Sequence, residues 1–203
     1  MDNKEKMLAG ELYTPDCPEL APVHLRCDQL CQQYNMTDPA DKAASRKILE
    51  ELLPYINDDT VLERPIQFDY GQFTKFGKRV FVNYNFICMD TAWINIGDDV
   101  LIGPNCTIAA PLHPMNAEAR RYKADADGKL SCMELSKPVT IEHDCWICSN
   151  VVLCAGVTVG AGSVIGAGSV VTRDIPAGVF AAGNPCRVIR ELTEDQQTAS
   201  ADQ

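Results

Sequence analysis

Three histidines are the residues of this chain best suited to move a proton near neutral pH, because a free imidazole has a pKa of about 6.5. His113 lies in the segment PLHPM, immediately after a regular repeat in the sequence stops. There it could act as a general base toward a hydroxyl group. An exposed loop histidine without a role fits the residue types equally well. His143, at an outward-facing repeat position, and His24, in the N-terminal segment, are weaker candidates.

The second candidate for chemistry is the C-x-x-C pair formed by Cys145 and Cys148, a spacing found in zinc and redox sites. No second pair completes a set of four ligands. Both residues also stand at repeat positions that small residues usually fill. The start of the chain shows no apolar signal segment, so we expect all ten cysteines to be reduced thiols. The sequence therefore predicts neither a metal cofactor nor a disulfide.

An aliphatic residue recurs at every sixth position near the end of the chain, which matches neither a helix nor a simple alternating strand. The repeat residues are Ile141, Ile147, Leu153, Val159, Ile165 and Val171, after a shorter run of Ile96, Ile102 and Ile108. This spacing, with glycines after several repeat residues, is typical of a parallel β-helix, so the fold class is mainly β. A polar insertion at about 110–138 interrupts the repeat, and long insertions of this kind are often functional.

The flanking segments differ in character from the repeat. Residues 1–58 are predicted to be helical, including a helix capped by Thr37 or Asp38 and ended by Pro54. Residues 59–185 form the β-helix, and the aromatic-rich stretch 66–86 supplies its first, less regular turns and seals its end. Residues 186–203 are predicted to be a tail with a short C-terminal helix.

The composition excludes several classes of partner. The chain of 203 residues has a formal net charge of −10, which argues against binding nucleic acid. No stretch approaches the roughly 20 apolar residues that span a bilayer, so no membrane partner is expected. Together with the reduced cysteines, this leads us to expect a cytoplasmic protein.

Several motifs make the chain similar to one family, the maltose/galactoside O-acetyltransferases of the hexapeptide-repeat acyltransferases. They are MLAGELY at residues 7–13, FDYG at 68–71, VNYN at 82–85, the His–Pro pair in the insertion, GAGSVVTRDIP at 166–176 and AAGNPCRVIR at 181–190. The resemblance implies a left-handed parallel β-helix with three hexapeptides per coil. It also implies acetyl-CoA as the acetyl donor, a small hydroxyl-bearing acceptor, and a homotrimer with active sites between subunits.

The resemblance also assigns roles to individual residues. His113 is expected to be the general base for direct attack of the acceptor hydroxyl on the thioester, without a covalent enzyme intermediate. The expected acceptor-binding residues are Asp16, Asp69, Asn83 and Asp90. The expected cofactor-binding residues are Trp146, Ser149, Ala167, Thr172, Arg173, Arg187 and Arg190.

Two departures from the family pattern bear on specificity. Thr91 stands where some galactoside-specific members have a second acidic residue, and Cys148 replaces a usual glycine near the thioester path. The leading interpretation is a sugar O-acetyltransferase. A non-sugar hydroxyl acceptor, such as a natural product, is an alternative within the same chemistry. A non-catalytic β-helix scaffold is an alternative of another class.

Overall fold

The protein, described here from a computed structural model, is a parallel β-helix of about six coils preceded by three helices. The structure describes residues 1–124 and 128–193. Within them, no helix combines the length and apolarity needed to cross a membrane. The helices are α1 (Asn3–Ala9), α2 (Ala21–Met36), α3 (Lys42–Leu52) and, in the insertion, α4 (Ala117–Arg120).

Each complete coil contributes one strand to each of three faces. The first face holds β1 (Val61–Leu62), β4 (Phe81–Val82), β7 (Leu101–Ile102), β14 (Trp146–Ile147), β17 (Val164–Ile165), β19 (Val179–Ala182) and β20 (Arg187–Glu191). The second holds β2 (Ile66–Phe68), β5 (Phe86–Met89), β8 (Thr107–Ala109), β15 (Val152–Leu153) and β18 (Val170–Val171). The third holds β3 (Thr74–Phe76), β6 (Ile94–Ile96), β13 (Val139–Ile141) and β16 (Thr158–Val159). The insertion adds β9 (Pro111–Leu112), β10 (Lys123–Ala124), β11 (Leu130–Ser131) and β12 (Leu135–Ser136).

The six-residue repeat forms the core, as predicted. Ile141 pairs with Val159, Ile147 with Ile165 and Leu153 with Val171, so one coil takes eighteen residues, or three hexapeptides. The repeat residues from Ile96 to Val171 are at most 3% exposed. At roughly 1.5–3 kcal/mol for each fully buried aliphatic side chain, these columns are a main source of stability.

Two of the three edges between faces are tight turns with left-handed backbone. On the asparagine edge, which joins the first face to the second, Asn85, Asn105, Asn150 and Gly168 occupy equivalent positions with φ between 58° and 72°. Asparagine and glycine are the residues that tolerate this conformation best. The third edge joins the second face to the third and is called the histidine edge here, because the insertion that carries His113 leaves the coil there.

The N-terminal helices close one end of the coil. Leu30 and Tyr34 of α2 and Leu49 and Leu52 of α3 belong to the same buried cluster as the first coils. Within that cluster the rings of Phe68 and Phe86 lie 5.8 Å apart in an edge-to-face arrangement. The aromatic residues thus fill the end of the core, and the helices cover it.

The predicted cap of α3, Thr37 or Asp38, was wrong, since Asp41 caps this helix by accepting a hydrogen bond from the Ala44 N–H. The two expected caps have other partners. The Thr37 hydroxyl donates to the Gln33 carbonyl at the end of α2, and the Asp38 carboxylate accepts from the Ala40 N–H in the intervening turn.

The predicted helix in the tail is also corrected. Residues Arg187–Glu191 form β20, which pairs antiparallel with β19. A strand there satisfies backbone groups at the otherwise open edge of the first face, which a helix could not do. Residues 194–203, where the rest of that prediction falls, lie outside the described residues.

The close stacking of coils gives a stability prediction. A methyl group on Gly103 would lie 2.8 Å from the Ser149 backbone nitrogen of the next coil, so Gly103→Ala should lower the free energy of unfolding by about 1–3 kcal/mol. Gly168→Asn is the control. Nothing lies within 4 Å of the added carbon there, and asparagine already occupies the equivalent turn positions. Thermal unfolding should separate the two variants, and an unchanged midpoint for Gly103→Ala would contradict the close approach.

Candidate active site

The insertion holds His113 at the end of a two-stranded ribbon. Strand β9 leaves the second face and pairs antiparallel with the returning β12, so that Leu112 lies opposite Leu135. His113 follows β9, and its Nδ1 lies 3.3 Å from the carbonyl oxygen of Met133. Because a carbonyl can only accept, this contact favours the tautomer with hydrogen on Nδ1. The Nε2 lone pair is then available, on a side chain that is 44% exposed.

Glu134 lies beside the Nε2 edge of the imidazole, and sequence reasoning missed it. Its Oε1 is 3.9 Å from His113 Nε2, close enough to stabilise an imidazolium ion. The sequence held one indication of this carboxylate, because Glu134 is the only acidic residue between Lys129 and Lys137. The insertion leaves and re-enters the coil at the same edge, so its returning strand runs antiparallel to its outgoing strand. This pairing places the Glu134 carboxylate beside His113.

Tyr13 fixes Glu134 from the other side. The Tyr13 hydroxyl donates to Glu134 Oε2 at 2.7 Å, and the two backbones exchange hydrogen bonds of 3.0 Å in both directions. Burial, followed by the hydrogen bond to Glu134, raises the pKa of Tyr13 well above its ordinary value, so the phenol keeps its proton. The segment after α1 is therefore docked on the insertion, and Tyr13 is a second residue that sequence reasoning missed.

Asp69 faces the same region from the coil. It follows β2 on the histidine edge and is half-buried. Burial raises its pKa to about 6, while His24 opposes the shift and Glu134 adds to it. These electrostatic effects place His24 and Glu134 near Asp69. The His24 ring also packs edge-on against Tyr70 at 5.9 Å, so His24 belongs to the wall of this region.

Asp90 was expected to contact the acceptor, and the structure corrects this. It is 0% exposed, and its carboxylate accepts hydrogen bonds from the backbone N–H groups of Tyr70, Gly71 and Phe73 and from the Thr74 hydroxyl. Burial raises its pKa to about 7. Asp90 thus has no surface to offer a ligand, and it holds the turn that presents Asp69.

Thr91, the residue after Asp90, is also buried and has almost no surface to offer a ligand. It is 4% exposed, and its hydroxyl accepts a hydrogen bond of 2.9 Å from Ser136 of β12. This bond ties the turn after β5 to the returning strand of the insertion. The residue that departs from the galactoside-specific pattern is therefore a structural link between coil and insertion.

Asp16 lies on the N-terminal segment beside the insertion. It is exposed, and its backbone carbonyl accepts a hydrogen bond of 2.5 Å from Lys129 Nζ. It lines a cleft of about 400 Å³ that is also lined by Thr14 and Met133. Since Met133 also contacts His113 through its carbonyl, Asp16 and the histidine both lie near this residue.

The remaining predicted residues are divided between the two edges of the coil. Asn83, Ser149 and Ala167 lie on the asparagine edge, whereas Thr172 and Arg173 lie exposed on the histidine edge, beyond the root of the insertion. One strand of the second face separates the edges. The four residues of β5 span about 13 Å at roughly 3.3 Å each, so Asn83 and His113 of one chain cannot contact the same hydroxyl group.

Trp146 lies on the outer surface of the first face and is 40% exposed. Arg187 and Arg190 lie on β20, where Arg187 is paired with Ala182 next to the asparagine edge. The Arg190 guanidinium lies 5.3 Å from the centre of the Phe180 ring. Both arginines are thus fixed near the last coil by a strand, not by the expected helix.

Cys145 and Cys148 occupy the repeat positions predicted for them. They are 1% and 7% exposed, and the Cys145 thiol donates to the Gly160 carbonyl at 3.2 Å. Burial raises the pKa of both thiols, so they behave as small apolar residues of the coil.

Comparison with known proteins identifies the same regions. The model of the maltose acetyltransferase hexapeptide capping motif matches residues 6–56, and hexapeptide-transferase models match residues 94–112 and 138–173. The galactoside O-acetyltransferase of Escherichia coli K12 is 38% identical over 194 residues, covering 96% of this chain and 91% of that protein.

Two solved structures share the whole fold. A galactoside acetyltransferase in complex with coenzyme A has a TM-score of 0.87 and 37% identity, covering 96% of this chain and 93% of that one. A hexapeptide-repeat acetyltransferase from Vibrio cholerae, complexed with acetyl coenzyme A, has a TM-score of 0.83 and 31% identity, covering 96% of this chain and 100% of that one. On this similarity over nearly its whole length, the chain belongs to the galactoside/maltose O-acetyltransferase family of hexapeptide-repeat enzymes.

Proposed function

We propose that the protein transfers the acetyl group of acetyl-CoA to a hydroxyl group of a sugar, with His113 as the general base. The observation that carries this proposal is the hydrogen bond from His113 Nδ1 to the Met133 carbonyl, which leaves Nε2 available as a proton acceptor. Glu134, held by Tyr13, supports the positive charge that the ring acquires. A scaffold protein would have no need for such an arrangement.

The reaction follows from these roles. Nε2 removes the proton of the acceptor hydroxyl as the oxygen attacks the thioester carbonyl carbon. The tetrahedral intermediate then expels the thiolate of CoA, which takes the proton from the imidazolium ion. The products are an acetyl ester and CoA with a free thiol, and the histidine is restored. General-base catalysis contributes roughly 10²–10⁴-fold, and holding both substrates in one cleft contributes further.

A polar acceptor fits the groups around the base. The exposed Asp16 and the half-buried Asp69, with the asparagine-edge residue Asn83 of a neighbouring subunit, can hydrogen-bond to several hydroxyl groups of a sugar. The name of the E. coli relative points to galactosides. Because the threonine at position 91 is buried against Ser136, we propose a broader sugar acceptor, without a second carboxylate that selects galactosides.

For acetyl-CoA we propose a groove between neighbouring subunits that runs toward the C-terminal end, lined by the asparagine edge of one chain and the histidine edge of the other. Trp146 and the turn residues Ser149, Ala167 and Thr172 would line the pantetheine, and Arg173, Arg187 and Arg190 would meet the phosphates. Guanidinium groups suit phosphate oxygens because they can bind them in a bidentate manner. The complexes of the two structural relatives support this donor.

We further propose that the enzyme is a homotrimer. A column of apolar side chains runs outward along the first face from Val61 through Phe81, Leu101 and Trp146 to Val164. Val61, Leu101 and Trp146 are each at least 40% exposed, which is unusual for a continuous apolar column unless another surface covers it. A neighbouring subunit would also bring its asparagine edge to the histidine edge of the first. We place the enzyme in the cytoplasm because its ten unpaired thiols suit a reducing compartment.

Replacing His113 tests the base. His113→Ala should lower the rate of acetyl transfer roughly 10²–10⁴-fold, with acetyl-CoA affinity by calorimetry unchanged, since only the proton acceptor is lost. His143→Ala is the matched control, because His143 is an exposed histidine paired with Asp144 on another edge. Near-normal transfer by His113→Ala would reject this role.

Mixing two inactive variants tests the shared site. Chains with His113→Ala and chains with Asn83→Ala are unfolded together in equal amounts and refolded. If each site takes His113 from one chain and Asn83 from its neighbour, every mixed trimer contains one intact site. About three quarters of the trimers are mixed, so roughly a quarter of wild-type activity should return. A site built within one chain would recover none.

The raised pKa of Asp69 gives a pH prediction. Because burial raises this pKa to about 6, the carboxylate should be lost on acidification through pH 6, well above the ordinary range of aspartate. A carboxylate that accepts hydrogen bonds from the acceptor would then fail, so KM for the sugar should rise below pH 6. In Asp69→Asn, KM should be high and flat across the same range. An identical pH dependence in both proteins would exclude Asp69 from acceptor binding.

A further inference from the structure

Three groups that bind metal ions meet at the insertion: His113, Cys132 and Glu134. Their potential donor atoms all lie within 4.8 Å of one another, and this is the one such cluster found among the described residues. We propose that these three side chains form a binding site for Zn²⁺ that inhibits the enzyme. The ion would be a regulator and not a cofactor, since the proposed reaction needs none.

The donor set suits zinc better than other common ions. A thiolate, an imidazole and a carboxylate are its usual ligands, at about 2.3 Å for sulfur and roughly 2.0–2.2 Å for nitrogen and oxygen. Magnesium and calcium prefer sites made only of oxygen ligands. Tetrahedral coordination at those lengths puts donor atoms about 3.3–3.6 Å apart. His113 Nε2 and Glu134 Oε1 are already 3.9 Å apart, so a small rotation of side chains completes the geometry.

Two of the three ligands are already oriented by hydrogen bonds of the kind that support metal ligands. The Met133 carbonyl holds His113 through Nδ1, which turns Nε2 toward the cluster. The Tyr13 hydroxyl holds Glu134 through Oε2 at 2.7 Å, which leaves Oε1 on the side of the histidine. Cys132 is half-buried as a residue, unlike most of the other cysteines, but it is buried within the cluster, so an ion would reach its thiol from the side of the exposed His113.

Inhibition follows from which electron pair the ion uses. The Nε2 lone pair that accepts the proton of the acceptor hydroxyl is the same pair that would coordinate Zn²⁺. A histidine bound to zinc cannot act as a base, so an occupied site is an inactive site. This consequence rests on the proposed function, whereas the binding of zinc does not.

Metal binding is tested on the wild-type protein and on Cys132→Ser, with Cys154→Ser as the control. Cys154 is the other half-buried cysteine and lies in the regular coils. Titration with Co²⁺ should give the charge-transfer absorption of a cobalt–thiolate bond, and Zn²⁺ should displace the cobalt at one ion per chain. Cys132→Ser should lose this absorption and bind Zn²⁺ at least about tenfold more weakly, whereas Cys154→Ser should match wild type. His113→Ala should also weaken Zn²⁺ binding, so the conclusion does not depend on the correct folding of a single variant.

Inhibition is tested after the proteins are loaded with Zn²⁺ and excess metal is removed, since free zinc would bind the thiol of CoA. The acetylated sugar is measured by mass spectrometry. Zinc should lower the wild-type rate at least about tenfold, EDTA should restore it, and Cys132→Ser should remain active and insensitive.

Equal zinc affinity of wild type and Cys132→Ser would overturn the site. Full activity of the zinc-loaded wild type would overturn the inhibition. If the metal-free chain transfers no acetyl group to any sugar, the proposed function fails, and the cobalt titration still decides whether the site exists.

Discussion

Each coil lies directly on the coil before it, and the rest of the structure depends on this alignment. The interior columns are in contact because Ile141 lies between Ile96 and Val159, and Ile147 lies between Ile102 and Ile165. Stacking this close leaves no room for a side-chain carbon at positions such as Gly97 and Gly103. A register shift by one residue would turn the interior column outward, so the alignment is specified at every coil.

This alignment also decides where the chain can vary without losing the fold. The turn between β8 and β13 carries an insertion of about thirty residues, yet Ile141 still pairs with Ile96 as if nothing intervened. A long loop costs only slightly more closure entropy than a short one, so the coil tolerates it. The insertion is free to carry His113 and Glu134 because neither residue is needed for stacking. The histidine and the carboxylate beside it thus lie in a part of the β-helix that the repeat does not constrain.

Sequence reasoning succeeded where the signal was periodic. The six-residue register, the face of each repeat residue and the burial of Cys145 could all be predicted, because each hexapeptide repeats the same local pattern. It failed where contacts join distant segments. Tyr13 and Glu134 are 121 residues apart in the chain, and no local pattern relates them. The strand β20 was likewise decided by its partner β19, whereas the cap of α3 is a local contact from Ala44 to Asp41 that was missed among several possible caps.

Asp90 shows why a family motif can predict a position and miss its role. The motif locates this aspartate near Asp69, and the structure has it directly beneath the turn that carries Asp69. Only the three-dimensional structure shows that its oxygens are taken by three backbone N–H groups and the Thr74 hydroxyl. Leaving such donors unpaired in the interior would cost about 1–3 kcal/mol, so the residue is required for the shape of the turn. The half-buried Asp69, which that turn presents, is then the carboxylate free to meet a ligand. The buried Asp90 thus forms the turn, and the half-buried Asp69, 21 positions earlier, is the carboxylate that we propose binds the acceptor.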